Sequence, residues 1–289
     1  MSKRKLSNTT QNLFDSFIQE CRLYQKSEST ISNYEISFNV LCKHFDGIEK
    51  RPIGSIGKSL IVEFTKKLSD TSLSVASINH YLRDIRAFLY WCMEDEYIPP
   101  FKVKCIKDTT PKKMPYTKEE AKVMLRKPSI NDGFAEWRSW GVINMVMGCG
   151  VRAMTIVNML KEDMDFANNT IYLRHSKDGG QNVITLVPQL KRAIVTYLKH
   201  NIFNTEFLFP SITGARMTVN GLRQSIASYN RSRGVQQTSI HLLRHTFGAM
   251  WAENGGDVYQ LQRIMTHKDI RTTLTCPPIL VPVRELVEI

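Results

Sequence analysis

Four prolines and five lysines crowd into the eighteen residues 98–115, "IPPFKVKCIKDTTPKKMP", with one acid, Asp108, among them. Proline removes a backbone donor and disfavours helix at the residue before it, so the helical pattern breaks here. The chain has to fold on either side of this stretch. At 289 residues it is long enough for two modest domains, each with its own core. The expected division is a helical domain over residues 1–100, a basic extended linker over 101–115 and a second domain over 116–289.

Apolar residues before the break recur at helical spacing. Leu13, Phe14, Phe17, Ile18, Cys21 and Tyr24 mark a helix over 9–25, and Ile31, Tyr34, Phe38, Leu41 and Phe45 mark a second, with Ser29 or Thr30 as its N-cap. A third helix fits about 58–69. A fourth fits 75–94, where Ile78, Leu82, Ile85, Phe88, Leu89 and Trp91 recur. These stripes are read as core, and the whole as a small four-helix domain. Beyond the break, "YTKEEAKVMLR" opens a helix capped at Thr117 with Glu120 three residues on. The rest is mostly helical except for "NTIYLRHSKDGGQNVITLVP" (169–188), two β-rich runs joined by "KDGG" that read as a hairpin. The fold class expected is mainly α with a small β-hairpin, an α+β arrangement.

Charge separates the two halves. Residues 1–100 hold 13 Lys and Arg against 12 Asp and Glu, while residues 101–289 hold 26 against 15. A surplus placed in one half is either a polyanion-binding face or a merely soluble basic surface. Six cysteines (21, 42, 92, 105, 149 and 276) lie far apart with no Cys-x-x-Cys pair, which argues against a zinc ribbon or disulfide framework and for a reducing cytosol. The first twenty residues lack an apolar targeting segment, and no run reaches membrane-spanning length. The expectation is a cytoplasmic protein without a membrane partner.

Four separated pieces carry chemistry when read together. "GCGVRAMTIVNML" offers Arg152 just after a glycine turn, and the hairpin offers Lys177 at its tip. "HLLRHTFGAM" places His241, Arg244 and His245 on one helical face, and "IMTHKDIRTT" supplies His267. The two histidines of "HLLRH" have the spacing of a zinc-binding His-Glu-x-x-His helix. Leu242 stands where the glutamate belongs, however, and Arg244 would repel a dication, so a helical metalloenzyme is disfavoured.

In that order the pieces resemble the tyrosine recombinase (phage integrase) family, which carries an Arg in a glycine turn, a Lys on a β-hairpin, a His-x-x-Arg-His helix, a second His, and a Tyr nine residues after it. The resemblance covers the whole chain, with "STISNYEISFNVLCKHF" and "SVASINHYLRDIRAFLYWCMEDEYIPP" similar to the family's SAM-like core-binding domain. It implies a site-specific DNA recombinase or integrase of a phage or mobile element, working without metal or nucleotide cofactor. Its partner would be double-stranded DNA with inverted-repeat sites, on which homodimers or a homotetramer assemble. Arg152 and Arg244 would grip the scissile phosphate, Lys177 would protonate the leaving 5′ oxygen, and His241 and His267 would hydrogen-bond the phosphate. His245 is expected to be a buried hydrogen-bonder behind Arg244.

Nine residues after His267 stands Cys276, where the family has its nucleophilic tyrosine. Tyr259 precedes His267 and lies on a separate helical stretch, so it is a poor substitute. A thiol is more acidic than a phenol, roughly 8.5 against 10, but its side chain is much shorter. Cys276 is therefore read as a disabled nucleophile, through substitution or natural loss. Thr155 stands where the family often has an acid and Thr266 where it has a glycine, while Pro277 and Pro278 disfavour helix at 276. The apolar tail "ILVPVRELVEI" would dock on a neighbouring protomer or on its own domain. The alternative is a non-catalytic DNA-binding protein of the same fold with an architectural or regulatory role.

Overall fold

The computed structural model describes residues 9–110, 114–174 and 182–265. The chain divides into two compact units, Met1–Pro111 and Lys112–Ile289.

The first unit is a four-helix domain: α1 (Thr10–Leu23), α2 (Glu28–His44), α3 (Lys58–Ser69) and α4 (Val75–Glu94). The apolar stripes of the sequence turn inward, with Leu41, Phe64, Leu68, Leu82, Leu89 and Cys92 fully buried, except that Tyr24, expected in the first stripe, stands exposed at the C-cap of α1. An aromatic cluster sits at the centre, where Phe14 stacks on Phe38 at 3.9 Å and meets Phe88 edge-on at 5.2 Å. Thr9, Ser27 and Ser74 cap α1, α2 and α4 through their side-chain oxygens. The α2 cap is Ser27, not the expected Ser29 or Thr30. With three hydroxyl residues close together in "SEST", the one whose extended backbone lets its oxygen reach the Thr30 amide becomes the cap.

The proline- and lysine-rich stretch has no regular secondary structure over 101–110, and much of it packs on this unit. Ile98 and Val103 are buried. The Asn79 side chain donates to the Ile106 carbonyl at 2.8 Å and accepts from the Ile106 amide at 2.8 Å, a two-point clip on the backbone. Phe101, Val103 and Ile106 turn toward the unit, whereas Lys102, Lys104 and Lys107 are exposed.

The second unit is built around α6 (Phe134–Cys149), which is buried on nearly every side from Trp137 to Cys149. Around it pack α5 (Lys118–Leu125), α8 (Pro188–Leu198), α9 (Val219–Ser232) and α10 (Ile240–Glu253). The short α7 (Ala153–Asn158) rests against α9, and α11 (Val258–Ile264) against α10. The capping box at Thr117 forms as the sequence predicts, with Glu120 returning to the Thr117 amide at 2.9 Å.

A small antiparallel sheet completes this unit, with β1 (Met164–Asp165), β2 (Thr170–Leu173) and β3 (Asn182–Thr185) in that order. The hairpin register sets Ile171 against Ile184 and Tyr172 against Val183, so Ile171 and Leu173 turn inward while Tyr172 is exposed. The two-residue β1 is too short to leave a periodic signal in the sequence. At the end of β2, Arg174 pairs with Asp163 and with Glu162, the latter at 3.0 Å, tying the hairpin stem to the turn before β1. The residues that join β2 to β3, Lys177 among them, lie outside the described ones.

Candidate active site

The "GCGVR" turn has one permitted shape. Gly150 ends α6 in the left-handed region at φ +61°, and a Cβ there would run into the Phe247 ring. The chain then reverses, and Arg152 begins α7 from extended backbone. Arg152 is thereby presented half-buried beside the start of α10.

On α10 the spacing sets the environments. His241, Arg244 and His245 share a face, but Arg244 points inward and is only 4% exposed, whereas His241 lies at the rim. Arg244 donates through its two Nη atoms to the carbonyls of Gly150 and Met265. These bonds fasten the glycine turn and the end of α11 to α10, and they satisfy two carbonyls that water cannot reach. His245 is half-buried, not buried as expected, and its ring stands edge-on to His241 with centroids 4.5 Å apart. The i, i+4 spacing places it beside His241 at the surface.

The segment entering α10 is held from behind. The Tyr116 hydroxyl donates to the Gln237 and Ser239 carbonyls, each at 3.2 Å, and its amide donates to Thr246 Oγ1 at 3.0 Å. Asn230 Nδ2 donates to the Gln237 carbonyl at 3.0 Å and to the Tyr116 hydroxyl at 3.2 Å. The Tyr116 phenol is pushed up to about 12, mainly by burial, so it stays protonated as a donor.

Arg152, His241 and Arg244 line one open cleft of about 820 Å³. Arg223, Gln224, Thr238 and Ser239 line it too, with no Asp or Glu among the described lining residues. The sequence reading missed these four. Arg223 carries no motif. Its only signal is that the core stripe Leu222, Ile226 and Tyr229 of α9 leaves residue 223 at the edge of the helix.

The cleft acts on the imidazoles in a definite direction. Protein packed around His241 lowers its proton affinity below the ordinary histidine value, and the charges of His245, Arg244, Arg152 and Arg223 lower it further. Burial lowers His245 as well, followed by the charge of Arg244. His241 is thus a neutral imidazole at pH 7, able both to accept and to donate a hydrogen bond. A neutral imidazole beside three guanidinium groups, with hydroxyl and amide donors around them, is a receptor for an oxyanion. Cys149, one residue before the glycine turn, is buried and its thiol is pushed up to about 12 by burial, so it stays a thiol.

Of the six site residues expected from the sequence, the structure brings Arg152, His241 and Arg244 together in this cleft. Lys177, His267 and Cys276 lie outside the described residues, as do Thr266, Pro277 and the apolar tail. Among the described residues no group of three or more His, Cys, Asp or Glu side chains is placed to hold a metal ion. No described helix is long and apolar enough to cross a membrane.

Comparison with known proteins gives the same outline. Residues 13–98 match the phage integrase N-terminal SAM-like domain, and residues 116–275 match the phage integrase family, a match that stops one residue short of Cys276. The tyrosine recombinase XerC of Staphylococcus aureus (strain USA300 / TCH1516) is 25% identical over 271 residues, covering 90% of this chain and 89% of that one. Among solved structures, the integrase of transposon Tn1549 in complex with a circular intermediate DNA is similar at a TM-score of 0.76 with 22% identity, covering 94% of this chain and 96% of that one. A lambda integrase dimer bound to a core site is similar at a TM-score of 0.74 with 13% identity, covering 93% and 95%. With a family match over more than half its length and a described fold in keeping with it, the chain belongs to the phage integrase family of tyrosine recombinases.

Proposed function

We propose that this chain is a site-specific DNA recombinase that binds duplex DNA at inverted repeats, assembles there as dimers or a tetramer, and holds a scissile phosphate in the Arg152–His241–Arg244 cleft. The convergence of Arg152 with His241 and Arg244, which follow it 89 and 92 positions later in the sequence, on one cleft lined by cations and hydroxyls carries the reading. The relatives support the partner, since lambda integrase is solved as a dimer on a core site and as a tetramer on a Holliday junction.

In this reading Arg152 and Arg244 hold the two non-bridging oxygens, stabilising the charge that builds as phosphorus becomes five-coordinate. His241 and His267 add hydrogen bonds. A tyrosine at position 276 would attack phosphorus through its phenol oxygen, giving its proton to the neutral His241 and forming a 3′-phosphotyrosyl ester while the 5′ oxygen leaves and takes a proton from Lys177. Cys276 stands at that position. Its sulfur falls several bond lengths short of where a phenol oxygen would lie, and a misplacement of about 1 Å already costs on the order of a hundredfold in rate. The present chain therefore binds and synapses without cutting. Cys276 also favours a second reading, a DNA-binding protein of this fold with no catalytic role.

The two readings separate on a nicked suicide substrate built from a duplex that the chain selects out of a random library. Cys276→Tyr should form a covalent protein–DNA adduct, seen as a shifted band on a denaturing gel, while the parent and Cys276→Ser form none. Binding without any adduct from Cys276→Tyr would establish the non-catalytic reading. An adduct formed by the parent and abolished by thiol alkylation would make the cysteine itself the nucleophile.

A further inference from the structure

Arg223 is the cation of the cleft to which no role has yet been given. It is exposed, opens onto the same cleft as Arg152, His241 and Arg244, and takes part in none of the ion pairs among the described residues. Its backbone is well fixed. Thr218 caps α9 by accepting from the Gly221 amide at 3.0 Å, and Leu222, Ile226 and Tyr229 bury the adjoining face. The Tyr229 hydroxyl donates to the Met124 carbonyl at 2.9 Å, holding α9 to the end of α5. Val219 and Ala227, one turn to either side of Arg223, also line the cleft and carry no charge.

A bridging phosphodiester carries one negative charge and two non-bridging oxygens, a demand that two guanidinium groups meet. A third cation facing the same space without a carboxylate would be repelled by the other two unless a further anion entered. On a nucleic acid strand that anion is always at hand, because the next phosphate follows within one nucleotide step, roughly 3.4 Å of helix rise. We propose that Arg223 binds the phosphate next to the scissile one and so sets the register of the strand in the cleft. Arg223 is then a positioning residue, since it holds the strand and leaves the reacting phosphorus to Arg152 and Arg244. The lowered proton affinity of His241, to which the Arg223 charge contributes, agrees with a guanidinium directed into this space.

The proposal rests on the cleft being the scissile-phosphate site, and one experiment distinguishes the two. The probe is the library-selected duplex, randomly ethylated at its phosphates, bound by the full chain with Cys276 in place. The parent should show interference at the scissile phosphate and at its neighbour. Arg223→Ala should lose interference at the neighbour alone and weaken binding of unmodified duplex by about 3- to 10-fold, with a salt dependence shallower by about one phosphate contact. Arg223→Lys should keep part of the neighbour signal, since it keeps the charge without the fork. An unchanged pattern in Arg223→Ala, or loss at the scissile phosphate itself, overturns the assignment. Arg152→Ala is the control, because if it changes no position the cleft is not the phosphate site. If the library yields no bound duplex, the DNA reading falls and this proposal with it.

Discussion

Arg244 has two duties. In the recombinase reading it grips a phosphate, and in the folded protein it donates to the Gly150 and Met265 carbonyls inside the second unit. Removing it leaves buried acceptors without partners, at about 1–3 kcal/mol for each such group. Arg244→Ala should therefore lower the melting temperature of the second unit as well as abolish adduct formation in a Cys276→Tyr background. Arg152→Ala, at a half-buried position, should abolish adducts with a smaller thermal shift. Calorimetry beside the gel assay checks both, and equal thermal shifts would deny Arg244 its bracing role. The histidines supply a pH signature. The folded proton affinity of His241 and His245 lies below the unfolded value of about 6.5, burial being the first cause for each. As pH falls through that unfolded value, the unfolded chain takes up protons first, so stability present at pH 8 declines toward pH 6. Replacing His245 with Asn should flatten that decline in melting temperature, and an unchanged slope would refute the assignment. The histidine spacing was legible in the sequence, whereas the unequal burial of His241 and Arg244 was not, because it depends on what packs against α10.

At the scale of elements, boundaries with a local chemical cause were readable. Thr117 and Glu120 form a capping box that needs only residues three apart, and the structure has it. Thr117→Ala should remove the half in which the Glu120 amide donates to the Thr117 hydroxyl, costing about 1 kcal/mol and some 2–4 °C in the melting of the second unit. A thermal shift below 1 °C would mean the box contributes nothing measurable. The α2 cap was misplaced because "SEST" offers several equivalent hydroxyls, and only the path of the incoming chain selects Ser27. The pairing of β2 with β3 follows from the two β-rich runs that flank "KDGG" in the sequence. The small β1 does not, because its two residues are held by their partners across the sheet. Arg223 belongs to the same class. Its position at the edge of α9 can be guessed from the helical stripe, but its place in one cleft with His241 exists only once α7, α9 and α10 are assembled.

For the whole molecule, the charge distribution makes the broadest prediction. The +12 balance resides mostly in residues 101–289, and the exposed Lys102, Lys104 and Lys107 stand on a segment clipped to α4 by Asn79. Neutralising many phosphates releases many counterions, so duplex affinity should fall by about three orders of magnitude or more between roughly 50 and 200 mM salt. A flat salt response in a binding titration would remove the electrostatic basis of the DNA reading. What the sequence by itself determined is what local rules govern: the helical stripes, the break at the prolines, the glycine turn before Arg152, and the order of motifs that marks the family. Each of these depends on the spacing of a few neighbouring residues. Tertiary structure alone decided that the first part of the lysine-rich segment packs as part of the first unit, that Arg244 braces two backbone carbonyls, and that Arg223 joins the cleft. Burial, carbonyl satisfaction and charge proximity all arise between residues distant along the chain, and no local pattern encodes them.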